Sequence, residues 1–340
     1  MEEIDLMTEI EKWTADRGLF PNHHFFKTSG SSGVEKWVAL STEALEWSAR
    51  TVNQALEIGR SDVLGLALPE IHVGGHGVVR RAQLARGRLA RYQGKWDAER
   101  FSKWCGKEGV TVSSLVPTQV HDLVKAGVRG GDALRVIVVG GGVFEEDLKE
   151  SARELGWPVV PSYGMTETAS QVATGDGLPL LPGWEARVVE GRLALQGGGL
   201  LTAVLVREGE GFVVRDPKVD GWYLTNDRVK LNGRSLQVLG RSDRLVKILG
   251  ELVDLEGVEH FWQQRLGARA AVVAKDDERR GMTLHLFHEG PERNLAKENH
   301  ACSGPERLTG WHAMKKLPRS ALGKVDRAAL KDLLKKIHQE

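Results

Sequence analysis

The sequence predicts an α/β protein: a large N-terminal domain with a mainly parallel sheet plus antiparallel strands, and a small α+β C-terminal domain. Three observations carry this expectation. Apolar runs at 63–68, 110–116, 134–139 and 158–161 alternate with stretches of helical spacing, as strands buried on both faces do. Each run ends in Gly, Pro or a hydroxyl residue, at the carboxyl ends where open parallel sheets place ligands. From 183 to 239 the pattern changes to short alternating runs split by Gly-rich turns, which reads as antiparallel strands.

The elements follow in order. Ile4, Leu6, Met7, Ile10 and Trp13 space a short amphipathic helix over 2–17. Two strands flank the stretch 28–36, and Ser41-Thr42-Glu43-Ala44 opens a helix with a good N-cap that runs through Trp47 and Val52 toward Ile58. The run at 63–68 leads into His72 and a Gly-rich segment. The strand at 110–116 passes through Pro117 into a helix beginning near Val120, and the strand at 134–139 precedes a helix over 145–155. The run at 158–161 ends at Ser162-Tyr163-Gly164. Beyond Gly240 come a helix over 255–266, strands at 270–274 and 282–287, and a basic helix from Val325. The boundary falls at 241–243, giving domains 1–242 and 243–340.

Composition narrows the class. With 47 Lys and Arg against 46 Asp and Glu, the net charge of +1 offers neither a nucleic-acid-binding surface nor a polybasic anchor, so small-molecule partners are expected. Cys105 and Cys302 stand alone, without disulfide or zinc spacing, which suits a reducing cytoplasm. The acidic start leads into no apolar segment, and no stretch has the apolar length that spans a bilayer.

Thr28-Ser29-Gly30-Ser31-Ser32-Gly33-Val34-Glu35-Lys36 suits a polyphosphate. Its glycines let successive N–H groups turn toward one anion, its hydroxyls add donors, and Lys36 adds a mobile cation. A polar hairpin turn is the plainer alternative. A Walker loop is excluded, because there Gly-Lys-Ser/Thr opens a helix, whereas Trp37-Val38 looks like strand. In Tyr163-Gly164-Met165-Thr166-Glu167 a ring, a hydroxyl and a carboxylate follow a buried strand. The ring can cover a base, Thr166 can reach a phosphate and Glu167 can hold Mg²⁺ with the phosphate oxygens; an ordinary surface turn is the alternative.

These segments resemble the adenylate-forming superfamily, which includes acyl- and aryl-CoA synthetases, luciferases and peptide-synthetase adenylation domains. The first loop is similar to its phosphate-binding signature, with Glu35 where the family has Pro, and the second to its Tyr-Gly-x-Thr-Glu motif. Gly140, Gly141 and Gly142 match the loop along the adenine ring. Gly221-Trp222-Tyr223-Leu224-Thr225-Asn226-Asp227 looks like Gly-Trp-x-x-Thr-Gly-Asp, whose Asp takes both ribose hydroxyls; Asn226, which tolerates left-handed angles, replaces Gly. The stretch 240–250 resembles the linker into a mobile C-terminal domain, implying Arg241 on ribose and phosphate and Asp243 as hinge. The stretch 317–327 matches the final motif, implying Lys324 as the cation that serves adenylation.

Segments 72–81 and 114–119 resemble the o-succinylbenzoate-CoA ligases of menaquinone biosynthesis. That likeness implies His72 on the acyl pocket and Arg81 near the substrate's carboxylates; a core histidine and a salt-bridged helix residue are the alternatives. The implied co-substrates and cofactor are ATP, coenzyme A and Mg²⁺. Only 27 residues precede the phosphate loop, where the resemblance implies a whole subdomain; most of that subdomain is expected to be missing here, and an edge for a second copy of the chain to cover is the expectation that follows. A ligase for another aromatic acid, an enzyme loading a carrier protein and a silent nucleotide-binding homologue are the rival expectations.

Overall fold

The computed structural model describes residues 2–28, 36–209, 211–319 and 325–337, with side chains from Met7 onward. It divides into two compact units. The first holds the chain up to Thr225 together with Lys230–Gln237, and the second holds Asn226–Val229 and the chain from Val238.

The first unit begins α1 (Glu2–Ala15), β1 (His23–Thr28), β2 (Lys36–Ser41), α2 (Thr42–Ala55), β3 (Val63–Leu66), α3 (Val73–Ala85), β4 (Arg88–Arg91) and α4 (Ala98–Glu108). It continues β5 (Val112–Leu115), α5 (Pro117–Lys125), β6 (Val136–Val139), α6 (Glu146–Glu154), β7 (Val159–Met165), a 3-10 turn (Thr166–Thr168) and β8 (Ser170–Thr174). Then come β9 (Glu185–Val189), β10 (Arg192–Gln196), β11 (Ala203–Glu208), β12 (Gly211–Arg215), β13 (Lys218–Val219), β14 (Trp222–Asn232) and β15 (Ser235–Arg241), the last two running past the division between the units.

Its centre is a six-stranded sheet in the order β4-β3-β5-β6-β7-β8. Every pair is parallel except β7 with β8. Val78, Val79 and Ala82 of α3 bury one face against Leu64, Val112 and Val136. Phe101, Leu123, Ala152 and Trp157 cover the other against Leu115, Ile137 and Val139. Helices on both faces account for strands that read as unbroken apolar runs. A four-stranded sheet, β1-β2-β11-β12, carries the edges of the expected phosphate loop, with Thr28 paired to Lys36. The antiparallel run 183–239 supplies β13-β14-β10-β9.

At the amino ends of the parallel strands, Asp62 ties three segments together. It accepts from Arg135 Nε and Nη2, both at 2.9 Å, from Thr111 Oγ1 at 2.7 Å and from Gly59 N at 2.8 Å. These bonds hold its carboxyl down at about 2, the Arg135 side chain contributing most.

The second unit contains β16 (Leu245–Ile248), β17 (Glu251–Asp254), α7 (Leu255–Leu266), β18 (Ala270–Asp277), β19 (Gly281–Glu289), α8 (Ala296–His300), β20 (Leu308–Met314) and α9 (Arg327–Ile337). Trp262 of α7 packs on one face of the β18-β19-β20 sheet, and Leu330 and Leu334 of α9 on the other. Glu259 accepts from Arg244, Arg327 and the amide of Val272, so a single carboxylate joins the start of the unit to its last helix.

Several boundaries differ from the sequence expectation. The strand expected to stop at 161 runs to Met165, because β8 pairs with it from Ser162 to Met165; Tyr163 and Gly164 therefore lie in a strand. β4, α4, α8 and β20 escape periodicity reading because they are short or carry few apolar residues. α2 stops at Ala55 and α9 starts at Arg327, Val325 forming a bridge to Arg319. Among the described residues, no helix is long and apolar enough to cross a membrane.

Candidate active site

The carboxyl ends of β6 and β7 bring two predicted segments side by side. Gly140 follows β6, and a Cβ there would come within 3.2 Å of the Ser162 carbonyl oxygen. Gly141 has φ +79°, in the left-handed region, and Gly142 rests near Pro117. These three positions therefore carry no side chain where the backbone following β6 comes close to β7 and Pro117. Gly164 is still more constrained, since its Cβ would fall 1.6 Å from the Ser170 carbonyl oxygen where β7 and β8 cross closest. Ser162 Oγ lies 3.1 Å from Thr174 Oγ1 and 3.3 Å from the Ala173 carbonyl.

Thr166 and Glu167 occupy the 3-10 turn between β7 and β8. Thr168 Oγ1 accepts from Met165 N at 3.1 Å and donates to Met165 O at 3.0 Å, closing the turn on itself. The Glu167 carbonyl accepts from Leu201 N at 2.9 Å, so the backbone under its carboxylate is fixed. Among the described residues no three His, Cys, Asp or Glu side chains could hold a metal. An ion at Glu167 would take its other oxygens from a nucleotide and water, which fits Mg²⁺.

His72 is the N-cap residue of α3, without a side-chain cap bond. Gly75, one turn on, lets the helix approach Pro69, whose carbonyl oxygen would sit 2.2 Å from a Cβ. Arg81 lies near the other end of α3 and is only 3 % exposed. Its Nε donates to the Gly77 carbonyl at 3.0 Å and its Nη2 to Ser114 Oγ at 3.1 Å, while Nη1 is buried without a partner. No carboxylate pairs with it among the described residues. Burial lowers it to about 10, so it remains a cation at neutral pH. It borders a cavity of about 10 Å³ with Gly77, Ser170, Gln171 and Ser48, room for about one water.

In the second unit Asp227, Arg241 and Asp243 come together. Arg241 Nε and Nη2 each reach an oxygen of Asp243 at 2.8 Å, and Nη1 reaches Asp227 Oδ1 at 3.5 Å. The Asp243 bonds, followed by the charges of Asp243, Asp227 and Glu256, push the guanidinium above its ordinary range against the opposing effect of burial. Gly240, at φ +119°, allows this approach, since a Cβ would lie 2.7 Å from Glu256 Oε2.

Thr28 and Lys36 face one another across β1 and β2 at the edges of the first loop. Ser29, Gly30, Ser31, Ser32, Gly33 and Lys324 lie outside the described residues. Sequence reading singled out the segment that begins at Ser114 but gave Ser114 no contact with Arg81, and it missed Ser170, Gln171 and the pairing of His24 with Arg80. Only the four-residue spacing of His76 and Arg80 was available as a signal.

Glycines at the ends of parallel strands, beside a hydroxyl and a carboxylate on a turn tied back to the strands, are the arrangement that the sequence motifs lead us to expect for a nucleotide. The family described as AMP-binding enzyme matches residues 25–196, and the chain belongs to it. More particularly, it is similar to the 2-succinylbenzoate–CoA ligase of Escherichia coli strain K12, 33 % identical over 241 residues that cover 68 % of this chain and 50 % of that protein. The ligase of the same name from Bacillus cytotoxicus is 30 % identical over 344 residues, covering 90 % of this chain and 69 % of the relative. Among solved structures, a point variant of E. coli MenE with bound OSB-AMS superposes with a TM-score of 0.75 at 27 % identity, covering 92 % of this chain and 68 % of that one. The chain thus spans half the length of the E. coli ligase.

Proposed function

We propose that this chain is an ATP-dependent, AMP-forming acid-CoA ligase that converts o-succinylbenzoate to o-succinylbenzoyl-CoA. One carboxylate of the acid attacks the α-phosphate of ATP and pyrophosphate leaves. The CoA thiol then attacks the acyl-adenylate carbonyl, loses its proton and displaces AMP. Arg81 carries the substrate assignment. A buried guanidinium with an unbonded Nη1 and no carboxylate partner is costly in an apolar setting, and a second carboxylate on the acid supplies the missing charge directly or through a water. The relatives named 2-succinylbenzoate–CoA ligase support the same acid.

In this proposal Thr28, Lys36, Thr166 and the loop 29–33 hold phosphates, and Gly140–Gly142 with Ser162, Tyr163 and Gly164 hold the adenine. Asp227 and Arg241 take the ribose, and His72 lines the acyl pocket. Glu167 would hold Mg²⁺, which would supply charge to neutralise the phosphates. Domain 243–340 turns about Asp243 between half-reactions, and Lys324 neutralises charge during adenylation.

Pyrophosphate exchange across a panel of aromatic acids, with and without CoA, tests the assignment. Exchange with o-succinylbenzoate but not benzoate is expected, because a site built around a second carboxylate leaves Arg81 unpaired when that group is missing. Equal exchange with benzoate would replace this reading with a general aryl-CoA ligase.

A further inference from the structure

We infer that Arg80, His24 and His76 form an oxyanion-binding site that takes a phosphate of CoA; this rests on the ligase proposal above. Arg80 Nη2 lies 3.1 Å from His24 Nε2, and Arg80 Nε donates to His76 Nε2 at 3.4 Å. A guanidinium only donates, so both Nε2 atoms accept and each neutral ring carries its proton on Nδ1. Neither Nδ1 has a hydrogen-bond partner among the described residues. The remaining contact of Arg80, Nη1 to Gln83 Oε1 at 3.5 Å, is long and neutral.

No carboxylate pairs with Arg80 among the described residues. Among the described residues the cluster therefore has one half-buried cation and two N–H donors without a protein anion to balance them. An arriving oxyanion supplies the missing charge and accepts from both rings. Burial, followed by the charges of His24 and Arg80, holds His76 at about 4, and burial with Arg80 and His23 lowers His24. The rings thus stay neutral at physiological pH, which preserves this division of donors and acceptors.

Position links the cluster to the expected reaction site. His24, Phe26 and Thr28 alternate on one face of β1, and His76 packs against the first two at 5.0 and 5.3 Å between ring centres. Four residues of strand, about 13 Å of rise, separate His24 from Thr28 at the edge of the phosphate loop. Arg80 and Arg81 are consecutive on α3, but a helical step of about 100° directs one toward β1 and the other toward Ser114. The acid's second carboxylate is taken by Arg81 in the ligase proposal, which leaves the phosphates of CoA as the suitable groups.

The full chain, with isotopically labelled histidine, is titrated separately with o-succinylbenzoate, with benzoylpropionate, which lacks the ring carboxylate, and with CoA. Nδ1 resonances of His24 and His76 are followed after assignment with His24→Gln and His76→Gln. Movement of both rings with CoA is expected; movement with o-succinylbenzoate but not benzoylpropionate would place the acid's carboxylate here and overturn the assignment to CoA. Arg80→Gln is then expected to abolish the movement and to raise the KM for CoA roughly ten- to a hundredfold, with other KM values within about twofold. Arg80→Lys should restore part of the loss. If Arg80→Gln does not fold, His24→Gln, which keeps the cation, carries the KM measurement. Rings unmoved by every ligand, or equal KM changes for all substrates, overturn the inference. Absence of pyrophosphate exchange in the wild type overturns the ligase proposal instead, because the titration is read without turnover.

Discussion

Arg241 grips Asp243 through two parallel bonds of 2.8 Å while its third nitrogen reaches Asp227 at 3.5 Å. The Arg241 side chain is 48 % exposed, so water screens the fork and its net strength is below about 1 kcal/mol. Such a clasp can open during a domain rotation. Asp243→Ala is expected to leave acyl-adenylate formation within about twofold and to slow thioester formation about tenfold or more. Single-turnover rates for the two half-reactions check this, and equal slowing of both would remove Asp243 from the hinge.

Arg81→Lys keeps the charge but loses the planar fork that bonds Gly77 and Ser114 together. The KM for o-succinylbenzoate should rise about tenfold, as for a lost charged hydrogen bond, with the KM for ATP unchanged. Steady-state kinetics against both substrates decide the matter. Parallel changes would make Arg81 a structural residue.

Gly164→Ala places a methyl group 1.6 Å from the Ser170 carbonyl oxygen, so β7 and β8 must part. Loss of adenylation and a lower melting temperature are expected. Gly106 is the control: it lies inside α4 with nothing within 4 Å of its Cβ. Gly106→Ala should be neutral or stabilise by up to about 1 kcal/mol. A calorimetric scan of both variants that ranked them the other way round would contradict the close approach.

Asp62 gives the fold a defined acid limit. Its carboxyl is held at about 2 against an ordinary 3.8, so the stabilisation is complete above about pH 4 and is lost as pH falls toward 2. Asp62 itself is 7 % exposed, yet the Arg135 side chain is 40 % exposed, which reduces the contribution to about 1–2 kcal/mol. The melting temperatures of wild type and Asp62→Asn should differ at pH 6 and converge between pH 4 and 2. A difference independent of pH would show that the ion pair is not its source.

The order of the parallel strands' apolar runs, the glycines and hydroxyls at their carboxyl ends, and the motifs at 163–167 and 221–227 are legible in the residues alone. Each depends on neighbours in the chain or on backbone angles open only to certain residues. Tertiary structure decided what lies between them. β7 continues through Met165 because β8 pairs with it, and a partner strand leaves no mark on local periodicity. Arg81 read equally well as a paired surface cation; only packing α3 between α2 and the sheet made it buried and unpaired. Arg80 meets His76 through helix spacing, which a sequence displays, but meets His24 across 56 positions of chain, which it does not. Long-range contacts are set by how whole faces pack, and no single residue's propensity encodes that choice.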